Sequence, residues 1–181
     1  KYMNSSETPV YSKRRVLYGL NLAKKPKRPN IILCEGNLDI VTLHQAGFDN
    51  AVASLGTSLT EEQVTLLSRY TEQVYLIYDA DEAGQRAAQR AIPMLERAGL
   101  RIKVLKIRDA KDPDEFLKKF GPDKFKLLLE ESANRVEYQL NVIRSKYDIR
   151  EDDQKIRYVH EAAELISTLG SSVQREVYRG R

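Results

Sequence analysis

Four short apolar runs, at 31–34, 51–53, 74–78 and 102–107, recur along the chain with a helix-length interval between neighbours. Each is too short for a helix and is bounded by turn-forming residues, so each reads as a buried strand. The intervals carry helical signals. Leu38, Val41, Leu43 and Ala46 follow a helical spacing that stops at Gly47. Thr60 with Gln63 three residues later has the form of a capping box. Asp81 is placed to cap a helix running from Glu82 to Gly99, with a kink expected at Pro93. Asp112-Pro113-Asp114 begins a further helix. Strands alternating with helices require right-handed crossovers, hence a parallel sheet. The expected fold is therefore α/β, a four-stranded parallel sheet flanked by helices. Lys103 and Lys106 in the last run give that strand a more exposed position.

Either side of this block the pattern changes. Residues 1–30 show no sustained period and are punctuated by Pro9, Pro26 and Pro29, ending in the connector-like KKPKRPN. Beyond residue 120 only helical spacing remains, in Val136, Leu140 and Ile143 and again in Ile156, Val159, Ala163 and Ile166. The expected organisation is 1–29 as the end of a basic subdomain, 30–130 as the α/β domain and 131–181 as a helical subdomain. The chain opens without Met and without an apolar leader, and is expected to be a piece of a longer, cytoplasmic protein. No apolar run approaches the roughly 18–20 residues that span a bilayer, so no membrane partner is expected. A single cysteine, Cys34, excludes a disulfide framework or a Cys-based zinc site within these residues.

Charge is uneven. Residues 1–30 carry Lys1, Lys13, Arg14, Arg15, Lys24, Lys25, Lys27 and Arg28 against Glu7, while the whole chain has a net charge of only +4. That asymmetry fits either a face for a polyanion or a solvated linker.

In a parallel sheet all strand ends lie on one edge, and open α/β sheets bind ligands there. Glu35 follows the first strand, Asp79-Ala80-Asp81 the third, and Asp112-Pro113-Asp114 lies just beyond the fourth. Asp39 sits one helical turn past Glu35. Crowded carboxylates stay ionised only around a cation. Hard oxygens without His or Cys select Mg²⁺ or Mn²⁺ rather than zinc, and such ions act on phosphates. Glu35, Asp79 and Asp81 are thus expected to form a metal-dependent phosphoryl-transfer site, and Glu35 is also placed to act as a general acid or base. Taken singly, each motif has a plainer reading: Asp81 and Asp112 as helix caps, Asp39 as a solvated residue.

Four runs, EGNLD (35–39), VASLGTSLT (52–60), DADEAG (79–84) and KDPDEFL (111–117), resemble the Toprim domain of bacterial primase. The opening KYMNSSETPVYSKRRVLYGLNLAKK is similar to the basic subdomain preceding that domain, and the helical tail to the subdomain following it. The resemblance implies a Toprim-like fold and a DNA-dependent RNA polymerase that makes short RNA primers for replication. It implies Glu35, Asp79 and Asp81 as catalytic Mg²⁺ ligands, with Mn²⁺ as a substitute, and an acidic site extended by Asp39, Asp112 and Asp114. Lys1, Asn4, Lys13, Arg14, Lys24, Gly56 and Thr57 are implied to face the single-stranded DNA template and ribonucleoside triphosphates. A replicative helicase is the implied partner, through a domain expected to lie outside this chain, as is a zinc ribbon. Asn37, in place of a usual aromatic residue, and Ala80, in place of a usual glycine, depart from the family pattern without removing a carboxylate. The alternatives are another Toprim enzyme, a nuclease or topoisomerase, or a non-catalytic Toprim module that binds nucleic acid or a partner. More distant is an Asp-x-Asp phosphatase, in which the basic segment and 111–117 have no role. His44, His160 and Cys34 read as packing or surface residues.

Overall fold

The computed structural model describes residues 5–24, 29–55, 58–78, 81–107 and 109–180. The apolar runs form β1 Asn30–Cys34, β2 Ala51–Ala53, β3 Gln73–Ile77 and β4 Arg101–Leu105. A two-residue β5, Ala133–Asn134, was not anticipated, because two residues carry no periodicity to read. The sheet order is β2-β1-β3-β4-β5. β1 pairs in parallel with β2 and with β3, and β3 with β4. The helices are α1 Leu20–Ala23, α2 Asn37–Gln45, α3 Glu61–Leu67, α4 Glu82–Arg97, α5 Pro113–Glu130, α6 Arg135–Arg144, α7 Asp152–Ser167 and α8 Ser172–Arg179.

Strands covered on both faces lose the apolar–polar alternation, and β1 is buried from Ile31 to Cys34. Ile32, Cys34, Ile77 and Leu105 join Ile40 and Leu43 of α2 and Phe116 and Phe125 of α5 in one cluster. Phe48 meets Phe125 edge-on at 4.9 Å, the favoured aromatic geometry. β4 is less exposed than its lysines imply. Ile102, Val104 and Leu105 are buried, and Lys103 lays its ammonium over the Tyr75 ring at 5.7 Å.

α4 continues through Pro93 as one helix, as expected. A break that was not anticipated comes in α5, where Gly121 adopts φ 79°, ψ 173° before Pro122 and divides the helix into two segments. The Thr60–Gln63 capping box forms as expected. His44 is a packing residue, its Nε2 2.9 Å from the Ala51 carbonyl, and Cys34 is buried.

Part of the opening segment is docked rather than loose. Tyr18 and Ala53 exchange backbone hydrogen bonds of 2.8 and 3.0 Å as an antiparallel bridge at β2. Contacts divide the chain after Ala133 into two units. In the second, α6, α7 and α8 enclose Val136, Ile166 and Leu169, with Leu140 and Tyr178 packed against them. Asn134 caps α6 through Glu137 N at 3.1 Å and accepts from the Tyr178 hydroxyl at 3.0 Å. Of the helical stripe read along α7, only Ile166 is buried; Ile156 and Val159 are 65% and 54% exposed, Ala163 is exposed too, and the buried Ala162 lies outside that stripe.

Candidate active site

Parallel register puts Ala53, Cys34, Ile77 and Leu105 level across four strands. The residues that follow leave the sheet at one edge. Glu35 emerges there exposed to solvent, and Tyr78 emerges beside it. Burial raises the Tyr78 hydroxyl above its ordinary range, and the neighbouring Glu35 charge adds to that, against the opposing pull of Arg90. Asp79 lies outside the described residues, as do Lys1, Asn4, Gly56 and Thr57.

Asp39 is not the solvated residue that a helix surface offers. It is 8% exposed, on the first turn of α2. A methyl group on Gly36 would fall 2.6 Å from Asp39 Oδ2, so a side chain at residue 36 would displace the carboxylate from this position. Gly36 itself is extended, at φ −95°, so close approach rather than turn geometry requires it. Asp39 Oδ1 accepts from Asp114 N at 3.4 Å, a long contact that ties α2 to the start of α5.

Asp81 and Asp112 both perform the plainer role. Asp81 Oδ1 accepts from Gly84 N at 2.8 Å and caps α4. Asp112 Oδ1 accepts from Glu115 N at 2.8 Å and caps α5, with Pro113 at its first turn. A cap uses one carboxylate oxygen and leaves the other available, so capping and metal ligation are compatible. Asp114 is more fully engaged. Thr42 Oγ1 donates to its Oδ1 at 2.5 Å and Lys118 Nζ to its Oδ2 at 2.6 Å. These two bonds hold its carboxyl below the usual range, Lys118 first and Thr42 second.

The donor chemistry at this edge, carboxylate oxygens from Glu35, Asp39, Asp81 and Asp112, fits a hard divalent cation. Among the described residues, no three acidic, His or Cys side chains converge closely enough to hold a metal.

Lys13 and Arg14 belong to a turn whose carbonyls bond to Thr60 and Gln63 at the start of α3. Lys24 is exposed just after α1. Sequence reasoning missed Thr42, Lys118 and Tyr78. Lys118 was legible as the i+4 partner of Asp114. Thr42 had no signal, since its partner lies 72 residues away.

A family model described as Toprim-like matches residues 32–117, and one described as the DnaB-helicase binding domain of primase matches 136–181. The DNA primase of Clostridium acetobutylicum is 43% identical over 179 residues, covering 98% of this chain and 30% of the relative. The chain thus spans under a third of that relative's length. The Escherichia coli primase catalytic core matches with a TM-score of 0.78 and 34% identity, covering 99% of this chain and 59% of that one. The DnaG primase catalytic domain bound to ssDNA matches with a TM-score of 0.78 and 33% identity, covering 99% and 60%. The helical tail therefore falls within structures described as catalytic cores and also matches a helicase-binding family, where the sequence reading put the helicase-binding domain outside the chain. On these matches, which run in order along nearly all its length, the chain belongs to the bacterial DNA primase family and carries that family's Toprim domain.

Proposed function

We propose that this chain is the catalytic part of a DNA primase, joining ribonucleotides into short primers on single-stranded DNA. The observation that carries the reading is the shared register of Cys34 and Ile77, from which Glu35 and Tyr78 leave the same sheet edge. Glu35, Asp79 and Asp81 hold Mg²⁺, or Mn²⁺ in its place, and Asp39 and Asp112 extend the acidic edge. A bound ion would supply charge neutralisation on phosphate oxygens for attack by a 3′-hydroxyl with release of pyrophosphate. The chain's own residues hold the site's shape. Gly36 admits Asp39, Asp81 caps α4, and Asp114 joins Thr42 and Lys118 to keep the start of α5 against α2. The cations of residues 1–28 guide the template, with an affinity that falls as salt rises. The ssDNA bound to the related DnaG catalytic domain supports this. The helicase-binding match on 136–181 supports contact with a replicative helicase through the helical unit.

The test supplies single-stranded DNA, ribonucleotides and Mg²⁺ or Mn²⁺ and resolves the RNA products on a gel. Asp79→Ala and Asp81→Ala each lower the yield on the order of 10²–10³-fold, the effect of removing one preorganised electrostatic group. Variants as active as the parent sink the metal assignment. Metal-dependent DNA cleavage without nucleotides favours the nuclease reading.

A further inference from the structure

The basic turn at residues 12–15 is fastened by two side chains 46–50 positions away. Gln63 is fully buried, and all of its hydrogen-bonding groups are in use. Its Nε2 donates to the carbonyls of Lys13 and Val16, each at 2.9 Å, and its Oε1 accepts from Thr60 N at 3.1 Å. Thr60 Oγ1 accepts from Gln63 N at 3.2 Å and donates to the Arg14 carbonyl at 2.6 Å. Two bonds between Thr60 and Gln63 complete a capping box. The three further bonds, to the carbonyls of Lys13, Arg14 and Val16, do nothing for the helix. They fix the turn. Arg15 N closes it on the Ser12 carbonyl at 3.0 Å, and Lys13 N is held by Glu7 Oε1 at 3.0 Å. With its backbone so tied, the turn leaves Arg14 and Arg15 exposed and Lys13 half-buried.

We propose that Thr60 and Gln63 are positioning residues for nucleic-acid binding: they hold the backbone of residues 13–16 so that Lys13, Arg14 and Arg15 meet the phosphates of a single strand as a preformed cationic edge. The inference rests on the template-binding reading of the basic segment given above. Its physical basis is preorganisation. A turn already ordered loses less freedom on binding than a loose one, so more of the charge attraction appears as affinity. The placement of a side-chain amide inside the core, aimed at carbonyls of a cationic turn, has no counterpart in helix capping alone.

The experiment measures binding of a fluorescent oligothymidylate to the full chain by anisotropy across a salt series. Thr60→Val removes the hydroxyl while keeping its shape, Thr60→Ser keeps the hydroxyl, and Gln63→Leu removes the amide. Thr60→Val and Gln63→Leu raise Kd about three- to ten-fold, the size of one or two lost hydrogen bonds. They also flatten the log–log salt dependence by about 0.7, the share of one single-strand phosphate contact. Thr60→Ser stays within about two-fold of the parent. Lower stability alone leaves the salt slope where it was, and thermal melting is followed in parallel. Gln63 lies in the core, so Thr60→Val, at a half-buried position, carries the test if Gln63→Leu does not fold. Unchanged affinity and slope in Thr60→Val, or equal losses in Thr60→Ser, overturn the inference. A variant with Lys13, Arg14 and Arg15 all changed to Gln separates the two failures. If it binds weakly while Thr60→Val binds normally, only the positioning role falls. If it too binds like the parent, or the parent binds no oligonucleotide, the template-binding reading falls with it.

Discussion

At Asp114 two oxygens are satisfied by two donors of different kinds, a hydroxyl from α2 and an ammonium from its own helix. The consequence for pH follows from the direction of its shift. The folded-state pKa lies below the unfolded value, so the interaction stabilises fully above about pH 4 and is lost as pH falls through the folded pKa. Lys118 is 70% exposed, which screens its share, and the Thr42 bond is the better protected part. Asp114→Asn is expected to lower stability by about 1 kcal/mol at neutral pH. Urea titrations of parent and variant then converge as pH drops below about 4. A gap that stays constant down to pH 2 would show that the carboxylate's charge has no part in holding α5. The same residue shows why the acidic motif was only half legible. The DPD run announced its carboxylates and the Asp112 cap, but that Asp114 bridges two helices depends on a partner 72 residues away.

Helix α5 breaks where its sequence is least able to continue. Gly121 at φ 79°, ψ 173° occupies a region that essentially only glycine visits, and Pro122 restarts the helix with its missing N–H at a position that needs none. No atom lies within 4 Å of where a Cβ on Gly121 would sit. The cost of Gly121→Ala is therefore backbone strain alone, about 1–3 kcal/mol. Gly180, at φ −84°, with only the Glu176 carbonyl near its Cβ position at 3.9 Å, is the control. Gly180→Ala should leave the denaturation midpoint within error, and equal effects at the two positions would remove the strain account. In the sequence the Gly-Pro pair is a breaker signal that the reading of a helix from Asp112-Pro113-Asp114 did not use. Pro93 lies inside α4, as its sequence position predicts, without ending the helix. The flanking turns of α4 bury Ala88, Ala91, Ile92 and Leu95, and that packing holds the helix through the one backbone bond that proline cannot make.

Across the whole chain, burial is concentrated in the sheet. Ile31, Ile32, Leu33 and Cys34 of β1 and Val74, Leu76 and Ile77 of β3 are all at most 2% exposed. The helical unit encloses a much smaller cluster around Val136, Ile166 and Leu169 and leaves Val173 and Val177 of α8 exposed. Small cores hold less stability, and regions with few buried apolar contacts open first. Native-state hydrogen exchange should find the slowest amides in β1 and β3. The amides of α7 and α8 should exchange about 10²-fold faster or more, as expected for an opening a few kcal/mol below the global one. Equal protection in both units would show that they unfold together. Among the described residues, no helix is long and apolar enough to cross a membrane.

The strand–helix alternation, the caps at Thr60, Asp81 and Asp112 and the common edge of the acidic strand ends were all determined by sequence alone. They rest on interactions within a few residues, or on a topology that local pattern and chain handedness nearly dictate. Tertiary structure decided the rest. It buried Asp39 against the start of α5 and made Asp114 a bridge between helices and Gln63 a clamp on a distant turn. It also added β5 and exposed the α7 stripe that periodicity assigned to a core. Each of these depends on which residues meet across tens of positions, and a chain's local periodicity carries no record of that.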